Sequence, residues 1–371
     1  MLDAWLNFRE RCLTSPRFHR FAAWFWPTRP VVRTRQSELF DIVSGFVYSQ
    51  VLAACVETGA LEAVRNPGKS LPDLAGALEL REDETRRLAD AAVSLRLMEK
   101  SGSRYRLGDL GSALLINPGV LAMIRHHGAL YKDLTNPVAL LREGRGQGEA
   151  KTNLSRYWAY AMSDDPAQSS AEQVAEYSTL MAESQKMVAT EVLASFNFRD
   201  HNVLLDVGGG EGAFIKAVAA QHDHLQLRLF DLPQVAERAA SRFEEVGLSG
   251  RTQVHGGSFF DDPLPQGADL ASLVRILHDH DDEPAQAILD SVYAALPSGG
   301  KLLIAEPMST GGSAHRISDA YFNFYLYAMG SGRPRSPALL FEMLKRAGFA
   351  RSRSLSARAP LITSFIVAEK A

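Results

Sequence analysis

The chain has 371 residues, 46% of them hydrophobic and 22% charged, with a formal net charge of −3; that length implies two or three globular domains, and that charge gives no general pull toward nucleic acid. Cys12 and Cys55 lie in unrelated stretches, which argues against a disulfide framework or a zinc site and fits a reducing cytoplasm. No uninterrupted run of about 18 apolar residues marks a membrane span, and the N-terminus lacks a continuous apolar signal-peptide core.

Residues 1–35 form an arm in which Trp5, Phe8, Phe18, Phe21, Trp24, Phe25 and Trp26 alternate with Arg9, Arg11, Arg17, His19, Arg20, Arg29, Arg33 and Arg35. Rings beside arginines suit a membrane interface, where rings sit at headgroup depth and arginine meets anionic lipid. The same arm would also serve packed on a partner subunit, since its apolar residues show no clean 3.6 period. Pro27 and Pro30 are expected to break it.

Residues 36–115 read as mostly helical. Phe40 to Val56 is nearly all apolar, which predicts a long helix buried on most faces. Helices starting at Ser70-Leu71 and spanning Arg81 to Leu95 are followed by a hairpin over Leu97–Leu107 that turns at Ser101-Gly102. This is a winged-helix order, but a DNA-reading helix needs a basic face. Here Arg81, Glu82, Asp83, Glu84, Arg86, Arg87 and Asp90 make a mixed, solvated face, so no nucleic-acid partner is expected. Residues 116–195 read as a helical bridge. It contains Met181 and the adjacent pair His126-His127. On a helix that pair points about 100° apart, a poor metal site, so both are read as structural or pocket-lining.

Residues 196–371 hold the most informative stretch. Val203 to Val207 is a strand-like apolar run carrying Asp206 near its end. Gly208-Gly209-Gly210-Glu211-Gly212 then turns into a helix. Glycines there let the backbone turn tightly and let a ligand come close. The spacing also satisfies the dinucleotide fingerprint, so alone it is ambiguous. A second strand ends on Asp231, about 20 residues on, where a doubly wound fold places a carboxylate on ribose hydroxyls. A third, Thr252 to His255, runs toward Ser258-Phe259. A fourth, Ala268 to Leu277, ends on His278-Asp279. A fifth, Gly300 to Ala305, ends on Glu306. Polar groups at the carboxyl ends of successive strands mark the edge where open α/β sheets bind ligands. Beyond them, Ser318 to Met329 is a helix dense in aromatics, with Tyr321, Phe322, Tyr325 and Met329 as candidate walls of a hydrophobic tunnel; core packing explains part of it. Leu361 to Glu369 is expected as one arm of an antiparallel pair at the sheet edge.

This order of motifs resembles the class I S-adenosylmethionine-dependent methyltransferases, in particular the O-methyltransferase family that includes plant caffeate and flavonoid enzymes. The residues that carry it are Asp206 to Gly212, Phe230 to Pro233, Gly256 to Phe260, Arg275 to Asp279 and Leu296 to Glu306. The resemblance implies an α/β, Rossmann-like domain with a mixed sheet, preceded by a winged-helix domain that makes a homodimer. It implies S-adenosylmethionine as cofactor, with the glycine turn, Gly208 and Gly210, at the methionine portion, Asp231 at the ribose, and Asp206 and Leu232 among the cofactor-binding residues. Ser258 and Phe259 would border adenine, and Arg275 stands where a lysine is usual. His278 would deprotonate the acceptor hydroxyl and Glu306 would orient it. Asp279 would cap the following turn or position ligand. The residues agree: of the ten histidines, only His278 ends a central strand with an acid beside it, and an ordinary imidazole titrates near 6.5, which suits a base.

Three positions depart from the plant pattern. Ser258 replaces an aspartate, the loop Gly332-Arg333-Pro334-Arg335 lacks a second glutamate, and Met329 replaces a polar pocket asparagine. Losing polar groups points away from small phenols toward an apolar acceptor. Pro16 to Ala23, Thr28 to Pro30 and Leu39 to Val56 are similar to bacterial carotenoid O-methyltransferases. That implies a lipophilic acceptor, the tertiary hydroxyl of an acyclic carotenoid, and a cytoplasmic enzyme whose arm contacts the inner or intracytoplasmic membrane peripherally. A phenolic or polyketide acceptor is the alternative within enzymes. A winged-helix regulator binding S-adenosylmethionine without catalysis is the alternative outside them.

Overall fold

In the computed structural model, residues 1–143, 152–161, 184–309, 317–356 and 363–371 are described; Met181 lies outside them. The chain divides into two units, Met1–Ile116 and Asn117–Ala371.

In the first unit the arm is helical, α1 (Leu2–Leu13) and α2 (Pro16–Trp24), before α3 (Arg29–Glu57). Ser15 caps α2 by accepting the Phe18 N–H. Pro30 does not break the chain as expected. It sits in the first turn of α3, where a missing N–H costs no hydrogen bond, and the break falls at residues 25–28. The expected burial of α3 is also corrected. Leu39, Phe40, Ile42, Val43, Phe46 and Val47 are exposed, and only Ala53, Cys55 and Val56 near its end are buried. Among the described helices, α3 alone is long and apolar enough to cross a membrane by length and composition. Counting uninterrupted apolar residues missed it because Ser44, Gly45, Ser49 and Gln50 punctuate the run.

After the short α4 (Ala60–Ala63), Ser70 caps α5 (Leu71–Leu78), which packs with α6 (Glu82–Ser94). The hairpin, β2 (Met98–Ser101) and β3 (Arg104–Leu107), joins β1 (Lys69–Ser70) in the order β1-β3-β2. Buried Tyr105 ties it to α6 by donating to Asp90 at 2.7 Å, and α7 (Asp109–Leu115) follows the hairpin.

The second unit is built on a seven-stranded sheet. Its strands are β4 (Val203–Val207), β5 (Gln226–Asp231), β6 (Thr252–Gly256), β7 (Leu270–Val274), β8 (Lys301–Glu306), β9 (Phe349–Leu355) and β10 (Ser364–Lys370). The order is β6-β5-β4-β7-β8-β10-β9, parallel through β8, with β10 antiparallel to both neighbours. The mixed sheet and its antiparallel edge pair are as expected. The central strands are apolar throughout because both faces are covered. Val188 and Val192 of α11 (184–195), Ile215 and Val218 of α12 (Ala213–Ala219) and Phe243 of α13 (Pro233–Glu245) pack on one side. Leu289 and Val292 of α14 (Asp282–Ala295) and Leu340 and Leu344 of α16 (Pro337–Ala347) pack on the other. After β4 the chain winds outward through β5 and β6, then returns to β7 beside β4. The crevice at the carboxyl ends of β4 and β7 is therefore the switch point where such sheets take ligands.

A helical layer also belongs to this unit: α8 (Pro118–Asp133), α9 (Pro137–Glu143), α10 (Asn153–Ala161), and a π-helical turn (Ile317–Phe322) running into α15 (Asn323–Met329). Leu130, Leu140, Leu154, Leu326 and Ala328 form its core.

Candidate active site

The glycine turn after β4 is held open by conformation. Gly208, Gly210 and Gly212 have φ of 72°, 57° and 76°, the left-handed region that glycine adopts freely. A Cβ at Gly208 would lie 2.5 Å from Ile276 Cδ1 and one at Gly212 2.3 Å from the Phe243 ring, whereas one at Gly210 would meet nothing within 4 Å. Gly210 therefore faces open space. Below the turn Asp206 is 1% exposed. One of its oxygens accepts the Ser272 hydroxyl at 2.6 Å, and the other, Oδ2, has no hydrogen-bond partner. Burial pushes this acid up to about 7, with Asp231 adding to the rise. Asp231 is also raised, by burial, although its oxygens accept the N–H groups of Gly210 and Leu232, each at 2.7 Å. Each of those oxygens keeps a lone pair for a further donor.

Ser258 is engaged locally. Its N–H donates to Asp262 at 2.8 Å and its hydroxyl to Asp261 at 2.9 Å. A carboxylate, Asp261, thus stands against the residue that replaces the plant aspartate. Phe259 packs edge-on against Phe260 and His280, with centroids 4.7 and 5.6 Å away.

Past β7 the backbone is strained. Arg275 has a φ of +59°, uncommon for a residue with a side chain, and its N–H donates to the Ala305 carbonyl at 2.8 Å. The chain then enters a 3-10 turn, Leu277–Asp279, that buries His278 to 2% exposure. Glu306, at the end of β8, is fully buried. Its Oε2 accepts the His278 backbone N–H at 3.1 Å and lies 3.6 Å from Nδ1 of the same residue. Asp279 Oδ1 lies 3.1 Å from Nε2. The imidazole is therefore flanked by two carboxylates. The N-cap position of the following helix, α14, is Asp281. A 3-10 turn brings the neighbouring side chain back onto the ring.

His278, Asp279, Arg275, Phe322, Tyr325 and Met329, with Gln185 and Leu326, line one cavity of about 50 Å³. That is room for a small reacting group, below the roughly 300–1,000 Å³ of pockets that enclose a drug-sized ligand. Arg275, expected at the cofactor, lines this cavity, and its guanidinium donates to Ser184 at 3.2 Å. Tyr321 is not among the lining residues. Its hydroxyl lies 2.8 Å from His127 Nε2, as that of Tyr325 does from His126 Nε2. The two histidines thus anchor the aromatic helix to α8. Burial drives His126 down to about 4, with His127 adding to the fall, and His127 is lowered by burial too.

Sequence reasoning missed Arg335, which it met only inside a loop that had lost a glutamate. Its side chain is buried and donates to the carbonyls of Leu277 and His280, both at 2.6 Å, and to Asp282 at 3.0 Å. From the same loop Arg333 N–H donates to the His278 carbonyl at 2.9 Å and the Ser331 hydroxyl to the Asp279 carbonyl at 2.8 Å. Gly332 comes so close that a Cβ would sit 2.0 Å from the His278 carbonyl oxygen. Four consecutive carbonyls of the histidine turn are therefore held by residues 331–335. Two arginines so near a glycine and a proline were the available signal; their partners are about 55 residues away in sequence. Among the described residues, no cluster of three or more histidine, cysteine or acidic side chains is arranged to hold a metal.

Known proteins resemble the chain along most of its length. Residues 131–350 match the family model for the O-methyltransferase domain and residues 40–117 that for the O-methyltransferase dimerisation domain. The chain is 42% identical over 359 residues to the demethylspheroidene O-methyltransferase of Cereibacter sphaeroides, covering 96% of this chain and 93% of the relative. It is also 42% identical over 365 residues to that of Rhodobacter capsulatus, covering 98% and 90%. The crystal structure of human N-acetylserotonin methyltransferase in complex with SAM (S-adenosylmethionine) superposes with a TM-score of 0.72 at 25% identity, over 91% of this chain and 98% of that one.

Proposed function

The chain belongs to the S-adenosylmethionine-dependent O-methyltransferase family, and from that we propose that it methylates the tertiary hydroxyl of an acyclic hydroxycarotenoid, with His278 as general base. The family's dimerisation domain makes the enzyme a homodimer. The acceptor class draws on the 42% identity to the two demethylspheroidene enzymes. One feature of the site carries it: His278 and Asp279, with Arg275 and Gln185, line a cavity whose remaining lining is Phe322, Tyr325, Leu326 and Met329. The Tyr325 hydroxyl is occupied at His126, so that wall offers a lipophilic acceptor a ring rather than a donor.

The glycine turn fits the cofactor, because Asp206 Oδ2 lacks a partner and Gly210 faces open space. Asp206, Gly208 and Gly210 would hold the methionine portion, Asp231 and Leu232 the ribose, and Ser258 and Phe259 the adenine edge. When bound, S-adenosylmethionine supplies a sulfonium methyl that an in-line oxygen nucleophile displaces. A tertiary alcohol is a weak acid, so His278 Nε2 takes its proton as the new bond forms rather than beforehand. Glu306 beside Nδ1 and Asp279 beside Nε2 then stabilise the imidazolium. Asp279 is half-exposed, which gives the proton a way out to water. The clamp from Arg335 keeps the imidazole fixed through the cycle.

A carotenoid of this class dissolves in bilayers, so a cytoplasmic enzyme must collect it at a membrane surface. The test is transfer of labelled methyl in detergent, with a hydroxylated acyclic carotenoid and a catechol compared side by side. Label in the carotenoid, lost by about 100-fold or more in His278→Asn, is the expected result. Label in the catechol alone would overturn the acceptor, and full turnover by His278→Asn would overturn the base.

A further inference from the structure

The N-terminal arm lies outside the residues matched by either family model. Residues 1–35 carry seven arginines against Asp3 and Glu10, a formal +5 in a chain whose total is −3. All seven arginines are exposed. Between them stand Trp5, Phe8, Phe21, Trp24 and Trp26, every one more than half exposed. Phe21 stacks on Phe25 at 5.5 Å and lies 6.2 Å from Trp24, which makes an aromatic cluster at the corner between α2 and α3. Arg29 closes that corner by donating to the Ala23 and Trp24 carbonyls, both at 3.1 Å. On α1, Arg9 lies over the Trp5 ring, 5.8 Å from its centroid. The dimerisation match begins at residue 40, beyond the arm.

A contiguous patch of exposed rings marks an interaction surface, and this one is strongly basic. We propose that the arm is a docking surface for an anionic lipid bilayer. Tryptophan and phenylalanine rings lie at headgroup depth with their edges in the acyl boundary. Arginines on the same short helices reach lipid phosphates while their stems lie along the apolar layer. Rings and guanidinium groups interleave on α1 and α2, so no helix rotation separates them. Water satisfies only the charges and a protein core only the rings, whereas a headgroup layer meets both.

The intact enzyme is sedimented with vesicles of phosphatidylcholine alone and of phosphatidylcholine with phosphatidylglycerol, neither containing carotenoid, so the outcome does not depend on the acceptor. Binding to the anionic vesicles is expected, at least about 10-fold tighter than to the neutral ones and weakening as salt shortens the reach of the charges. Replacing Arg9, Arg11, Arg17 and Arg20 by glutamine should cost about 100-fold or more, at roughly five-fold per arginine. A Trp5→Ser, Trp24→Ser, Trp26→Ser variant should lose binding while keeping cofactor affinity and helical circular dichroism. The proposal is overturned if the wild type ignores anionic vesicles at low ionic strength, or binds neutral ones equally. It is also overturned if both variants sediment with vesicles like wild type. Variants that turn dimer into monomer while vesicle binding persists would assign the arm to the second copy.

Discussion

Replacing Asp206 by asparagine should make the cofactor-free enzyme more stable at alkaline pH and nearly leave it alone in acid. Asp206 is 1% exposed, with one oxygen on Ser272 and the other unpartnered. Burial holds it at about 7 in the native state, against about 3.9 for an unfolded aspartate. Between those values the folded chain binds the extra proton, so stability falls as pH rises and the loss is complete above the folded value. The deficit is about 1 to 2 kcal/mol at pH 5 and about 4 kcal/mol at pH 8, as a ceiling, because Asp231 shares the same field. Asparagine keeps an oxygen for the Ser272 hydroxyl and carries no charge. Urea unfolding of wild type and Asp206→Asn, without cofactor, should therefore show the variant gaining about 2 to 3 kcal/mol between pH 5 and pH 8 relative to wild type. An unchanged difference between the two pH values would mean that Asp206 ionises freely and that the turn is not built around a strained carboxylate.

Arg335→Met should remove the donor from two carbonyls of the histidine turn and cost about 2 to 4 kcal/mol. Turnover should fall at least about 10-fold while calorimetric cofactor affinity holds; Arg335→Lys should not restore it, since an ammonium lacks the planar fork. His126 is lowered to about 4 in the fold, so the unfolded chain takes up its proton first as pH falls below about 6.5. Stability should drop by about 1 to 2 kcal/mol from pH 7 to pH 5 on that account, a loss that His126→Asn abolishes in urea melts. A double-mutant cycle with Tyr325→Phe should return a coupling near 1 kcal/mol. Gly212→Ala should destabilise more than Gly210→Ala, by about 2 kcal/mol in thermal melts, because both bear left-handed strain but only Gly212 meets the Phe243 ring.

Much of the second unit was legible because its signals are local. An apolar run, a glycine turn and an acid at a strand end each follow from neighbouring residues, and five in succession leave few topologies for a parallel sheet. Asp206, Gly208, His278 and Glu306 could be placed at strand ends on that basis alone, and the hairpin and the helix start at Ser70 were equally local. Misreadings arose where a residue's role depends on distant partners or on a second copy. Nothing near Arg335 in sequence says that it will reach carbonyls at 277 and 280, and nothing near Tyr321 says that His127 will hold its hydroxyl out of the cavity lining. The turn that folds Asp279 back onto His278 is a three-residue conformation with no composition of its own. Apolar α3 read as buried because hydrophobicity measures the wish to leave water, not the partner that removes it. Its Phe40 to Val47 stretch remains largely open in one chain, where the dimerisation match begins. Sequence alone determined which chemistry the sheet edge could hold, since strand order follows from local pattern; only the tertiary structure decided which groups touch the base, since those contacts close loops of tens to hundreds of residues.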